Sequence, residues 1–282
     1  MRIAVLVSGQ PRFIEAGAKW MTERVFSNLH GYKIDYYCHF WDNGNPDLEK
    51  KIVSTYNPVK FKIENYKDSI QDFKRQVIEK NQYNKDDFKL VPKYIRENIL
   101  FDTQEVTEYG MNFWGQFLST YEVSRLANYD HYDIVIKTRS DAVLHPMNHT
   151  VWSKALANIK RNPSFNTRIF APWLQVVGGM PYFCDFAFIS TPEAWKNYSM
   201  YLRDNCLRLA TQDKALFYEF NIHEFHGIAH WVWNKLAIYS MSSFLSFSVT
   251  WPMNFDACLI RTSDDISKLE YQKVHQIFVE SG

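Results

Sequence analysis

The chain lacks the bulk features that would name a partner. It has no charge excess: 32 Lys and Arg stand against 31 Asp and Glu, a formal net charge of +1 over 282 residues. A chain so balanced has no global field to gather nucleic acid or an anionic membrane, so nucleic acid is not an expected partner and any anion must be held locally. Cysteine is scarce. Cys38, Cys184, Cys206 and Cys258 lie far apart, without the short paired spacing of a zinc site or a redox CxxC. Isolated thiols in an apolar-rich chain are expected to pack as small hydrophobes in a reducing compartment. No uninterrupted apolar run approaches bilayer-spanning length, and the first strand candidate begins at Arg2 or Ile3, which leaves no room for a secretion signal before it. Stable membrane insertion is therefore not expected, a cytoplasmic location is, and the sequons at Asn148 and Asn197 carry no weight.

Apolar and aromatic side chains are abundant. Hydrophobic residues make up 46% and aromatics 17%, with 21 Phe, 17 Tyr and 9 Trp, enough for a sizeable core and too much for a disordered chain. The informative segments are apolar runs that end in polar, ligand-type residues. Ile3-Ala4-Val5-Leu6-Val7 runs into Ser8-Gly9-Gln10-Pro11-Arg12, which predicts a buried strand, a tight turn and a helix over roughly 13–29. Strand, glycine-containing turn and helix can aim backbone N–H groups and a helix N-terminus at a phosphate, and Arg12 adds a guanidinium fork. The turn is neither a GxGxxG nor a Walker loop, and a purely structural role fits it as well.

Ile34 to Trp41 reads as a second strand, closed by the turn cluster Asp42-Asn43-Gly44-Asn45-Pro46, with His39 read as a satisfied core histidine. Val59 to Ile63 alternates apolar residues with Lys, as a half-exposed edge strand does. The central run, Ile134-Val135-Ile136, leads through Lys137 and Thr138 to Arg139-Ser140-Asp141. In open α/β sheets a fully buried strand looks like a continuous apolar run, and ligands collect beyond its carboxyl end. The tips at Gly9, Asp42 and Asp141 are thus expected to open on one cleft.

The remaining segments are read as follows. Residues at about 65–108 are rich in charges of both signs and form a polar insert, in which Ile70 to Ile78 can be helical. Met111 to Ala127 carries Trp114, Phe117, Leu118, Tyr121 and Leu126 at helical spacing. Val151 to Ile159 reads as a helix, Arg168 to Trp173 as a strand, Val177 to Pro181 as a loop, and Phe183 to Ser190 as a strand followed by a helix capped at Thr191 with Pro192 in its first turn. Asp185 interrupts the Phe183 to Ser190 run, and a carboxylate in such a setting needs a partner or a task. His226 and His230 stand four residues apart as two ligands on one helical face would, but Glu224 precedes both, so the HExxH of zinc proteases is absent. Phe247 to Trp251 and Ala257 to Arg261 are candidate closing strands, and 262–282 reads as surface tail.

Five segments in this order resemble nucleotide-sugar-dependent glycosyltransferases of the GT-A fold, and within them the bacterial and viral subset that includes the WavE type of lipopolysaccharide-synthesis enzymes. They are Ser8-Gly9-Gln10-Pro11-Arg12, His39-Phe40-Trp41-Asp42, Asn112-Phe113-Trp114-Gly115-Gln116, Arg139-Ser140-Asp141 and Asp185-Phe186-Ala187-Phe188. The sequence departs from the D-x-D of many such enzymes, offering Arg139-x-Asp141. The resemblance implies one GT-A-like domain over 1–282, a three-layer α/β/α sandwich with a mostly parallel central sheet, and transfer of a sugar from a nucleotide sugar to a saccharide or other hydroxyl acceptor. Ser8, Gly9, Gln10, Arg12 and Arg139 would then hold the nucleotide, Asp141 a Mn²⁺ or Mg²⁺ shared with the donor diphosphate, and Asp185 or Glu224 would act as general base, with Asp185 favoured because Phe183, Phe186 and Phe188 surround it in sequence. Two other classes remain open. One is another nucleotide- or S-adenosylmethionine-dependent α/β transferase, which the lack of a glycine-rich loop after the first strand disfavours. The other is a non-catalytic or degenerate binding module, which the missing carboxylate permits.

Overall fold

The computed structural model describes residues 1–80, 108–144, 156–161, 168–170, 174–177, 180–183, 187–211, 246–247 and 257–259. In chain order the elements are β1 (Arg2–Gly9), α1 (Ile14–Arg24), β2 (Lys33–Trp41), α2 (Leu48–Tyr56), β3 (Lys60–Glu64), α3 (Tyr66–Lys80), α4 (Glu108–Leu126), β4 (Ile134–Thr138), β5 (Ala142–Leu144), β6 (Arg168–Phe170), β7 (Leu174–Val177), β8 (Met180–Phe183), β9 (Ala187–Ser190), α5 (Pro192–Thr211), β10 (Ser246–Phe247) and β11 (Ala257–Leu259).

Seven strands form one sheet in the order β10-β6-β9-β4-β1-β2-β3. All run the same way except β9, which is antiparallel to both β4 and β6. The expected mostly parallel sheet is present, and its two central strands are the two continuous apolar runs. Ile3 to Ser8 of β1 and every residue of β4 are buried, as strands covered on both faces must be. Only the Lys60 end of β3 is exposed and its other residues are half-buried, the pattern expected of an edge strand.

Handedness assigns the helices to faces. Stepping from β1 to β2 to β3 in one direction by right-handed crossovers puts α1 and α2 on the same face. There Ile14, Met21, Val25, Leu48, Ile52 and Tyr56 pack on Ile3, Val5, Val7, Cys38, Phe40, Ile134 and Ile136, joined by Leu156 and Ile159 of a helical segment at 156–161. Burial pushes the Cys38 thiol well up, which makes it the small hydrophobe expected. The chain then returns to β4, on the other side of β1, and α3, α4 and α5 cover the opposite face through Ile70, Phe73, Trp114, Phe117, Trp195 and Tyr198. The Trp195 indole N–H donates to Ser124 Oγ at 2.9 Å and ties α5 to α4.

Some expectations meet a different outcome. No helix was expected at α2, where Leu48, Ile52 and Tyr56 at steps of four are all buried. Its signal is only nine residues long, between two turn clusters. The polar insert begins as α3, whose Ile70, Phe73 and Val77 form a narrow buried stripe diluted by charge, so its first turns belong to the core. Val177 and Met180, read as loop, pair across a β7–β8 hairpin, and Gly178-Gly179 between two short apolar runs is the hairpin signal that the loop reading passed over. The strand expected over 183–190 divides between the end of β8 and β9. Thr191 caps α5 as expected, accepting from the Ala194 N–H at 3.3 Å. The insert beyond residue 80, residues 184–186, the 222–231 segment and the tail lie outside the described residues.

Candidate functional site

The sheet reverses its order of construction at β1: β2 and β3 lie on one side and β4 on the other. Open α/β sheets bind ligands at such a switch point, outside the carboxyl ends of the strands, because the flanking helices depart to opposite faces and leave a crevice. Register puts the predicted tips at that edge together. Gly9 pairs with Phe40, and Val7 pairs with both Cys38 and Thr138, so Gly9, Asp42 and the Arg139–Asp141 turn share one end of the sheet.

The Ser8 to Arg12 turn is strained and held. Gly9 has φ 122 and Phe13 has φ 50, the latter a conformation that bulky residues rarely take. The hold comes from Ser140. Its hydroxyl lies 3.0 Å from the Gln10 carbonyl oxygen and 2.9 Å from that of Arg12, sharing its proton between two groups of the other turn. A third element locks the pair. In α1, a Cβ added at Gly17 would run into the Ser140 carbonyl oxygen, so only glycine lets the helix lie against this turn. Arg12 is exposed, Ser8 is buried, and α1 starts at Phe13 with no side chain capping its first N–H groups. Glu15, the one acid in that turn, is paired with Lys51 at 2.9 Å.

Arg139 and Asp141, expected to serve phosphate and metal separately, hold each other. Arg139 Nε donates to Asp141 Oδ1 at 2.8 Å and Nη2 to Oδ2 at 2.9 Å, with the Asp141 side chain only 2% exposed and that of Arg139 22%. A hard divalent cation takes about six oxygen ligands, whereas both oxygens of Asp141 are engaged and no group of three or more His, Cys, Asp or Glu comes together among the described residues.

A second charged cluster lies at the β2–β3 side. His39, wholly buried, has Nε2 2.6 Å from Glu64 Oε2 and Nδ1 3.2 Å from Ser119 Oγ. Lys62 bridges Glu64 at 2.7 Å and Glu122 at 2.9 Å. Burial pushes the Glu64 carboxyl up, but the hydrogen bonds from His39 and Lys62 outweigh it and hold the group at about 2. Ser119, His39 and Glu64 have the connectivity of a nucleophile relay, yet Ser119 is 1% exposed and no substrate can reach it. The cluster is structural, as read for His39. A polar cleft of about 230 Å³ beside it is lined by Asp72, Tyr121, Arg125 and Arg203, with Tyr121 between two guanidiniums.

Sequence reasoning passed over Ser140 as a clamp and Gly17 as a contact. A lone glycine inside a helical pattern was the available signal for Gly17. Gly115 of the Trp114-Gly115-Gln116 motif plays a like role, since a Cβ there would meet Tyr66 and Ile70 of α3 at 2.8 and 2.9 Å. Asp185 and Glu224 lie outside the described residues.

Solved glycosyltransferase structures are similar to this chain. Mouse xyloside xylosyltransferase 1 in its apo form is 11% identical with a TM-score of 0.41, over 88% of this chain and 83% of that one. The galactosyltransferase LgtC, solved with donor and acceptor sugar analogues, is 11% identical with a TM-score of 0.39, over 88% and 73%. GlyE of Streptococcus pneumoniae is 10% identical with a TM-score of 0.38, over 88% and 44%. No family model matches the sequence, and no curated protein matches it. Among the described residues no helix is long and apolar enough to cross a membrane.

Proposed function

We propose that this protein is a glycosyltransferase that moves a sugar from a nucleotide-sugar donor to a saccharide or other hydroxyl acceptor, with the donor diphosphate in the crevice between β1 and β4. One observation carries the reading: the Ser140 hydroxyl joins the Gln10 and Arg12 carbonyls. The two motif turns that the sequence resemblance assigns to the donor are thereby a single rigid unit at the switch point of the sheet, where such ligands bind.

The chemistry asks for two things. The bond from the anomeric carbon to the diphosphate oxygen breaks with its electron pair remaining on the diphosphate, so positive charge and N–H donors must meet that oxygen. Arg12 and Arg139 supply guanidinium forks, and the first turn of α1 supplies N–H groups without a side-chain cap. The acceptor oxygen forms the new bond to the anomeric carbon and loses its proton to a base. Asp185 and Glu224 are the candidate bases, and substitution separates them: Asp185→Asn abolishes transfer with nucleotide binding and melting temperature retained, whereas survival of transfer in that variant together with its loss in Glu224→Gln passes the role to Glu224.

The test of the whole reading is calorimetric titration with UDP, GDP and CMP, followed by turnover with the matching nucleotide sugars. Arg12→Lys keeps the charge and loses the planar fork, so it should weaken nucleotide binding by roughly tenfold with melting unchanged. Equal affinity in that variant removes Arg12 from the site. Binding without any transfer leaves the non-catalytic module as the better description.

A further inference from the structure

We propose that the polar cleft between α3, α4 and α5, beside β3, is a binding site for one neutral sugar unit. Such a site goes beyond the transferase reading and does not need it, because no residue lining the cleft comes from β1, β4 or their turns.

Size sets the first limit. The cleft holds about 230 Å³, roughly eight times the share of one water in the liquid. That is room for a single sugar ring, and it lies below the roughly 300 Å³ at which pockets for drug-sized molecules begin, so a whole nucleotide sugar does not fit.

Charge sets the second. The carboxylates of Glu64, Asp72 and Glu122 and the guanidiniums of Arg125 and Arg203 share the lining. A small anion placed there meets three carboxylates and a small cation two guanidiniums, so neither is gathered by the whole wall. A hydroxyl group suits both signs, since it donates to a carboxylate and accepts from a guanidinium. A neutral ring bearing several hydroxyls therefore uses such a wall without carrying a charge into it.

The third limit is which polar groups are still uncommitted. Glu64 and Glu122 are spent on Lys62, at 2.7 and 2.9 Å, and with the buried Phe73 and Leu118 they give the cleft a rigid base. The Tyr121 ring is set by two guanidiniums, Arg203 at 4.7 Å and Arg125 at 5.5 Å from its centre. Among the described residues nothing hydrogen-bonds the side chains of Ser69 and Gln76 or the Tyr121 hydroxyl. Asp72 gives only Oδ1 to Arg75, at 2.6 Å, and Arg125 gives only Nη1 to Glu122, at 3.3 Å. One cleft thus gathers two hydroxyls, an amide, a carboxylate oxygen and a guanidinium edge, the mixture of donors and acceptors that orients a sugar ring. None of this asks a hydrogen bond of Arg203, whose part is to hold the ring of Tyr121.

The experiment is titration of the ¹⁵N-labelled full chain, followed by amide chemical shifts, with glucose, galactose, xylose and N-acetylglucosamine, and with inorganic phosphate and spermidine as charged controls. At least one sugar should shift the amides of α3 and α4 around the cleft, with a Kd in the millimolar range expected of so small a ligand. The double variant Ser69→Ala/Gln76→Ala should raise that Kd roughly tenfold and Tyr121→Phe roughly threefold, with melting unchanged, because both remove groups that no other described residue uses. Should the double variant melt early, Gln76→Ala alone, at an exposed position, takes its place with a loss of roughly threefold. Saturating UDP should leave the sugar Kd within about twofold, as two uncoupled sites require.

No shift at these amides with any of the four sugars at about 100 mM overturns the proposal. A sugar that binds wild type and the Ser69/Gln76 variants equally, or that UDP displaces, sits elsewhere and overturns it too. Phosphate or spermidine binding at the same amides more tightly than every sugar replaces the neutral ligand by an ion, with the same result.

Discussion

Two charged clusters sit at the carboxyl ends of strands in the same sheet, and they have opposite fates. At β2 and β3, His39, Glu64, Lys62 and Glu122 form a chain of bonds, with the imidazole wholly buried and both its nitrogens engaged. At β1 and β4, Arg12 is exposed, and Arg139, though paired, is partly exposed. The residue types alone would rank the first cluster as the active site, since a Ser–His–Glu connectivity is the more familiar chemistry. Topology reverses the ranking. Beside β2, Ser119 of α4 closes over His39, whereas β1 and β4 flank the switch point of the sheet, the place where open α/β sheets take their ligands.

That contrast predicts a division of labour: changes at the β1/β4 turns should alter nucleotide binding, and changes at the β2–β3 cluster should alter stability alone. The largest effect is expected at the joint of the first unit. Gly17→Ala drives a methyl group into the Ser140 carbonyl, and with rigid backbone on both sides the strain should cost about 3 kcal/mol and abolish nucleotide binding. Urea unfolding and titration of one preparation measure both, and a variant that binds normally would show that the α1 contact does not hold the site.

His39→Leu comes next. It leaves Glu64 and Ser119 without their buried partner, for a loss of roughly 3 kcal/mol in urea unfolding, while the Kd for nucleotide stays at the wild-type value under folded conditions. A Kd raised tenfold or more there would erase the distinction between the clusters.

Ser140→Ala removes one hydroxyl from two carbonyls and should cost about 1–2 kcal/mol, with a severalfold loss of nucleotide affinity because the two turns are no longer joined. Stability lost without any change in affinity would reduce the clamp to a structural bond.

The smallest effect concerns acid. Glu64 has its folded carboxyl at about 2 against an ordinary 4.5, so it contributes stability that is present above 4.5 and lost as pH falls from 4.5 towards 2. With the side chain 19% exposed, solvent screening keeps the contribution to about 1 kcal/mol. Glu64→Gln should flatten the dependence of the urea midpoint on pH in that window, and a slope identical to wild type would assign the acid sensitivity elsewhere.

The elements legible in the sequence share a physical basis. A run such as Ile3 to Val7 or Ile134 to Ile136 can be buried on both faces only as a central strand, and Thr191-Pro192 can start a helix with no help from distant residues, so these signals were complete in a few adjacent positions. The α2 helix and the core face of α3, a segment legible as helical but not as buried, carry stripes that are short or thinned by charge, and only the sheet or helix they pack against decides that they belong to the core.

For the site, the order of residues marks which turns carry ligand-type side chains: Ser8 to Arg12, and Arg139 to Asp141. That much follows from apolar runs ending in polar residues. That the two turns are one unit follows only from the folded chain, because a hydrogen bond from Ser140 across 130 positions to Gln10 has no local signature. The structure likewise decided that Asp141 faces Arg139 and that His39 is sealed in. A side chain's role depends on what occupies the space beside it, and that space is furnished by strands and helices far away in sequence.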